Sequence, residues 1–501
     1  MKTDSLPIVE PASPRRSRSQ GAATLLTIVL LSALAGCGGG PPELMPTPNI
    51  YASGERNPFP DVPPALQHNR ADVLYITDRA LEDGATPENA KYGFKRSRSV
   101  AFGIAEVEFG KDVPWEALEK ASRTANRDVK LPMTITRTTE VLRFPPSPQT
   151  IVELSEPGFV AAVHQAATMP TTTNAPAGPT SAPAGSSVAE ELDFDYRVAL
   201  NELSARLAKT PVKDVYVFVH GYNNNFYDSV TTIAGLWHFM GRQGVPVAYS
   251  WPAGHGGLLR GYTYDRESGE FTIYHLKTML RVIAACPEVH RVHVIAHSRG
   301  TDVAISALRE LRLEIGGSRP TGAAETREAL KLGTVVLAAP DLDLDVVIQR
   351  MVTARLGRLP ERFAMYVCSK DKALGISNWL FGGGMRLGKI RADTFSPEEM
   401  EALRRAKTVQ IIDAQISNAG AFGHDYFHSN PAVSSDLILL MRYQLPPGAD
   451  SGRPLGGTGN GFWSIDDHYP DATPRTETAQ TPPNNGKAVN ASSTSGPGSP
   501  P

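Results

Sequence analysis

From about residue 191 to 445 the chain alternates between two hydrophobic rhythms. Tyr196, Leu200, Leu203 and Leu207 recur every three or four residues, the spacing of one helix face. The unbroken apolar run 215–219 follows, the mark of a strand buried on both sides. The same alternation continues through a run at 245–249, a helical face at Leu276, Leu280 and Ile283, and a run at 292–296. Further β-like runs lie at 334–339, 363–368 and 409–412. Strand and helix in alternation predict right-handed βαβ crossovers and a mostly parallel, doubly wound sheet with helices on both faces. The expected fold class is therefore α/β. Upstream, residues 70–170 carry shorter β-like runs at 73–77, 100–109 and 140–144. These are expected to add antiparallel edge strands to the same sheet.

Composition sharpens the boundaries. The 501 residues include 44 Gly and 41 Pro, about 17% of the chain against about 12% in an average protein. Much of the excess sits in three stretches: 37–69, 171–190 and 446–501. We expect these to be a disordered tether, a low-complexity insert and a disordered tail. With 50 Lys and Arg against 52 Asp and Glu, nothing points to nucleic-acid binding. Three cysteines build neither a disulfide framework nor a metal-ligand pattern, and Cys286 and Cys368 read as buried and inert.

The first residues read as an address. Arg15, Arg16 and Arg18 precede a short apolar stretch, which ends in Leu34-Ala35-Gly36-Cys37. The stretch is too short to span a bilayer comfortably and closes on small residues. Residues 1–36 resemble a bacterial lipoprotein signal, which implies a lipid on the thiol of Cys37 and a mature chain held in the cell envelope by its membrane. Gly38 follows where an Asp often retains such proteins at the inner membrane, so the outer membrane is favoured.

The sharpest chemical motif is Ala296-His297-Ser298-Arg299-Gly300, directly after a buried strand and directly before a helical pattern. Small residues flank the serine because a nucleophile held on a tight strand-to-helix turn leaves its neighbours no room. A serine nucleophile needs a base, and the base an orienting acid, in the chain order Ser, acid, His. Beyond Ser298 only His424, His428 and His468 remain, and His468 falls in the expected tail. His424 is the expected base, with His428 as the alternative. Asp371, just after the run 363–368, is the expected acid, and Asp341 the alternative. An oxyanion hole needs two backbone donors. The amide of Arg299 and the amide of Tyr222, in the loop His220-Gly221-Tyr222-Asn223, are the candidates. His220 lies too early in the chain to be the base and has no partner at metal-ligand spacing. The run Asp341-x-Asp343-x-Asp345 lacks the Gly and Glu of a calcium loop. No cofactor or metal is expected. Loops through Gly254–Gly257 and 379–385 are candidates for an acyl pocket or lid.

Taken together, Val-His-Gly-Tyr-Asn at 219–223, Tyr-Ser-Trp-Pro at 249–252, Tyr-Thr-Tyr-Asp-Arg at 262–266, Ala-His-Ser-Arg-Gly at 296–300, Ala-Pro-Asp at 339–341, Ser-x-Asp-x-Ala-Leu at 369–374 and Gly-His-x-Tyr-Phe at 423–427 resemble one family. It is the bacterial alpha/beta hydrolase family of unknown function, often described as esterase- or lipase-like. Tyr75-Ile-Thr-Asp-Arg79 resembles the upstream part of that family. The resemblance spans roughly 70–445 and implies the alpha/beta hydrolase fold with a triad of Ser298, Asp371 and His424. It names no substrate. Arg299 stands where many relatives carry Met, which raises the question of a preference for acidic or polar substrates. The expected activity is hydrolysis of a small-molecule or lipid acyl ester, without cofactor or nucleic-acid partner. A different class of function, a catalytically silent binding or scaffold lipoprotein, has no need for Ser, acid and His in register.

Overall fold

The computed structural model describes residues 41–146, 188–317, 319, 321–374, 385–417, 423–457 and 461–471. Their strands form one sheet in the order β10-β11-β9-β8-β7-β6-β4-β5-β1-β2-β3. The ranges are β1 Arg70–Leu81, β2 Tyr92–Phe109, β3 Met133–Arg143, β4 Asp214–Val219, β5 Val245–Ser250 and β6 Arg291–His297. Then come β7 Leu332–Ala338, β8 Arg362–Val367, β9 Val409–Ala414, β10 Gly456–Gly457 and β11 Phe462–Ile465. From β11 through β9, β8, β7, β6, β4 and β5 to β1, every neighbouring pair is parallel. β2 and β3 are antiparallel, as expected for the upstream runs, whereas β1 joins the parallel set beside β5.

Strand alternation explains how the sheet fills two cores at once. In β4, Val215, Val217 and Val219 face one core, while Tyr216 and Phe218 face the other. The first is covered by α1 (Val188–Leu207), α2 (Leu258–Ala285) and α3 (Gly300–Gly316), through residues such as Leu203, Met279 and Leu308. The second is covered by α4 (Phe226–Phe239) and α5 (Pro431–Met441), through Ile233, Leu236, Leu437 and Leu440. With both faces covered, the β4 and β5 residues are buried throughout, so their sequences show no polar alternation.

Two expectations of disorder are corrected. Within 37–69, Leu44, Ile50 and Tyr51 are buried in the second core, and Phe59 is buried against Tyr51. Met133 N–H donates to the Pro42 carbonyl at 2.7 Å, and the Tyr51 hydroxyl to the Phe239 carbonyl at 2.7 Å. Within 446–501, residues 462–465 add β11 to the sheet edge against β9. Arg453 is fully buried and grips both oxygens of Asp436 at 2.8 and 2.7 Å, and Asp436 also accepts from the Tyr366 and Tyr469 hydroxyls. Burial opposes the Arg453 charge, yet Asp436 overrides it and holds the guanidinium pKa above its ordinary value. Composition misled here because single anchor residues, set among Pro and Gly, carry no periodicity. Residues 1–36, Cys37 and most of the 171–190 insert lie outside the described residues, as does 147–170.

Candidate active site

Ser298 occupies the turn between β6 and α3 with φ of 52°, in the left-handed region that a side chain rarely adopts. Its amide donates to the Ala338 carbonyl at 2.9 Å, which fixes the turn against the neighbouring strand. Two glycines packed against this turn leave no room for a side chain. A Cβ on Gly300 would lie 2.3 Å from the His220 carbonyl oxygen, and one on Gly221 would lie 2.7 Å from the Ser298 Cβ. Such strain costs on the order of 1–3 kcal/mol and persists only because the surrounding packing enforces it.

The structure brings Ser298, His424 and Asp371 together from three separate loops at the edge where the parallel strands end. His424 Nε2 lies 2.6 Å from Ser298 Oγ, and Nδ1 lies 2.7 Å from Asp371 Oδ2. With Asp371 ionised, this pairing sets the tautomer: Nδ1–H donates to the carboxylate, and Nε2 accepts from the serine hydroxyl. Asp371 is fully buried just past β8, and its other oxygen accepts the Leu374 amide at 3.1 Å. Gly423, at φ of 70°, turns the chain into His424. Burial works against a charged His424 ring, but the Asp371 carboxylate outweighs it and raises the imidazole pKa above 6.5.

The alternatives stand elsewhere. Asp341 lies beside the elbow, with its amide 3.4 Å from the Ser298 carbonyl, but its carboxylate faces Arg386 at 3.6 Å. His428 lies in the last turn of the short helix Tyr426–Ser429 and packs its ring on Phe427 at 4.6 Å. Burial lowers its pKa. His297 backs the site: its Nε2 lies 3.2 Å from the His424 carbonyl, and burial followed by the His424 charge pushes its pKa down to about 3.

Both candidate oxyanion donors are uncommitted, unlike most of the amides around them. In the loop after β4, the Gly221 amide donates to Asn224 Oδ1 and the Asn223 amide to Asp265 Oδ2, at 3.1 and 2.9 Å. The Asn225 amide is taken by Asp228 in a capping box that starts α4. At the elbow the Ser298, Thr301 and Asp302 amides are likewise committed. The amides of Tyr222 and Arg299 have no hydrogen bond among the described residues.

Three residues that hold this loop were not singled out as functional from the sequence. Arg79, at the end of β1 and fully buried, donates to Ser250 Oγ and to the carbonyls of Gly93, Ala253 and Asn224. Burial lowers its pKa, to about 10, so it stays charged at neutral pH. Asp265, on α2, accepts from both Asn223 and Gly254 and so bolts the loop after β4 to the loop after β5. Burial raises its pKa. His220 stacks flat on Trp251, with ring centroids 5.1 Å apart, and Trp251 donates to the His220 carbonyl at 2.7 Å. Burial and the neighbouring Arg79 keep His220 neutral. The signal available is the pair of Tyr-x-x-Asp-Arg segments at 75–79 and 262–266, which carry Arg79 and Asp265.

Arg299 is answered by a carboxylate of its own chain. Its guanidinium pairs with Asp302 at 2.8 Å, and Asp302 also holds Arg350 at 3.0 Å. Of the candidate pocket loops, 375–384 lies outside the described residues, while Tyr262 packs its ring on Tyr222 at 5.6 Å. Cys286 and Cys368 are unpaired and buried, each pushed up to about 11. No three His, Cys, Asp or Glu among the described residues group to hold a metal.

A mostly parallel sheet with helices on both faces, and a serine on a strand-to-helix elbow followed in the chain by acid and histidine, define an alpha/beta hydrolase. Residues 197–442 match the family described as alpha/beta hydrolase of unknown function (DUF900). The matched span excludes β1 to β3 and the N-terminal segment. No curated protein and no solved structure matches the chain.

Proposed function

We propose that the protein is a serine hydrolase that cleaves a carboxylic ester through an acyl-enzyme on Ser298, and that a lipid on Cys37 holds it in the bacterial cell envelope. The observation that carries the catalytic reading is the continuous hydrogen-bonded chain from Ser298 through His424 to Asp371. Ser298 Oγ attacks the ester carbonyl while His424 Nε2 takes its proton. The carbonyl oxygen, now an oxyanion, is received by the Tyr222 and Arg299 amides. As the tetrahedral adduct collapses, His424 returns the proton to the leaving alcohol. Water then repeats the sequence on the acyl-enzyme: His424 removes its proton, the carboxylic acid departs, and Ser298 recovers its hydrogen. Asp371 stays ionised and stabilises the imidazolium in both halves.

A fluorophosphonate probe tests this reading on the purified chain. Labelling that is lost in both Ser298→Ala and His424→Ala, with each variant still folded, is the expected result. A folded wild type that never labels would show a silent site.

A further inference from the structure

The position of Pro42 in the fold constrains how an anchored molecule can stand on its membrane. Pro42 accepts from Met133, Leu44 donates to Leu131, and Glu43 bridges to Pro132. Met133 is the first residue of β3, paired across β2 with the end where β1 begins, since Phe109 faces Met133 and Glu108 faces Arg70. Residue 42 therefore sits at the edge where the parallel strands start. Ser298, Asp371 and His424 all follow strand ends and lie at the opposite edge.

Between Cys37 and Pro42 there are five peptide steps, which reach at most ~18 Å when fully extended. The body is deeper than that. A six-residue strand such as β4 is ~20 Å long, and the loops at both ends add to it. Turning the strand-end edge towards the bilayer would lift Pro42 farther from the membrane than five residues can bridge. Across the sheet, β6 and β3 are five strand spacings apart, about 24 Å, so a sideways roll brings little relief.

We propose that the Ser298 site opens away from the membrane that holds Cys37, so that its substrate is an acyl ester presented from the aqueous side and not a lipid of that bilayer. This rests on the anchored-hydrolase reading above, and it replaces the long tether expected from composition with a short one. The short link acts as an orientation device: the domain stands on its strand-start edge, and bilayer lipids cannot enter.

Energy transfer to a headgroup-labelled lipid tests the orientation without needing turnover. The lipidated full chain is placed in vesicles of phosphatidylethanolamine and phosphatidylglycerol, with a donor dye on Val129→Cys or on His255→Cys. Val129 is exposed just before β3, and His255 is exposed in the loop after β5 at the catalytic edge. Transfer about twofold or more stronger from position 129 than from 255 is expected, given a difference in height of ~20 Å or more. Inserting about twenty Gly/Ser residues between Gly40 and Pro41 adds an extended reach of ~70 Å and should abolish the difference. Equal transfer from both positions in the unmodified chain would overturn the proposal. Failure of the wild type to bind vesicles would overturn it together with the anchor. Ester hydrolysis, measured separately with p-nitrophenyl acetate and Ser298→Ala, reports on the catalytic reading alone.

Discussion

Two buried Asp–His pairs of nearly identical geometry stand in this molecule, and only one of them reaches a serine hydroxyl. Asp371 holds His424 Nδ1 at 2.7 Å, and Asp78 holds His275 Nδ1 at 2.8 Å. At the first pair Nε2 meets the Ser298 hydroxyl, and the ring keeps 15% of its surface in contact with solvent. At the second, Nε2 has no hydrogen-bond partner among the described residues, and the ring, carried on α2 and facing β1, is 4% exposed. An oriented imidazole is thus common property of both sites. What separates them is a serine hydroxyl, held on a strained elbow, at the far nitrogen of the first ring.

That contrast is broken most sharply by removing the members of each pair. Ser298→Ala or His424→Ala should lower ester turnover by about 10^6-fold, and Asp371→Asn by about 10^4-fold through the wrong tautomer. Rates of p-nitrophenyl acetate hydrolysis, with thermal melts as a check on folding, measure both. If His275→Ala cost as much activity as His424→Ala, the distinction drawn between the pairs would collapse.

The positioning of the oxyanion loop predicts a smaller loss. Asp265→Asn keeps the shape but removes a charged acceptor shared by the Asn223 and Gly254 amides. A fall in kcat of about 10–100-fold with KM nearly unchanged is expected, because the donor at Tyr222 acts on the transition state and not on the bound ester. A matched rise in KM would instead mark a binding defect.

For the second pair the effect should appear in stability. His275→Ala leaves the Asp78 carboxylate buried without its partner, and the unfolding free energy should fall by about 3 kcal/mol in denaturant titration while kcat is unchanged.

The pH dependence sharpens the first pair. His424 must be neutral to act as base, and its pKa is raised above 6.5 by Asp371 against the opposing effect of burial. The acid limb of kcat/KM should therefore lie above pH 6.5, and Asp371→Asn should move it lower. The sign for stability is the reverse of that for activity. The stabilisation from the charged pair is full below the unfolded pKa and is lost as pH rises through the folded value, so the active form appears as that stabilisation fades. The smallest effect is expected for His428→Ala, whose ring packs on Phe427 away from Ser298; its turnover should stay within about threefold of wild type, as for a residue that makes no contact with the reacting groups.

How much of this was legible beforehand depends on how local each signal is. The elbow at Ser298 could be read because strand, serine and helix are consecutive in the chain, and the glycine at 300 follows from a contact with the adjacent strand end. The central strands announced themselves because burial on both faces demands unbroken apolar runs. Tyr51 and Arg453 could not be read: each is fixed by partners nearly two hundred or as few as seventeen residues away, and Pro and Gly between anchors erase any period. The same holds for Arg79, which spans from β1 to a loop 145 residues on.

The sequence alone thus determined the sheet's central strands, the strand–serine–helix turn and the short roll of acids and histidines that follow it, because these follow from contiguous patterning and chain order. Tertiary structure alone decided that His424 and Asp371, not His428 and Asp341, complete the chain to Ser298. It decided that a fully buried Arg79 and a buried Asp265 hold the donor loop, and that the N-terminal stretch is a strap rather than a spacer. The reason is physical: hydrogen bonds and ion pairs of this kind depend on ångström-scale approach between distant segments, and no pattern along the chain encodes such distances.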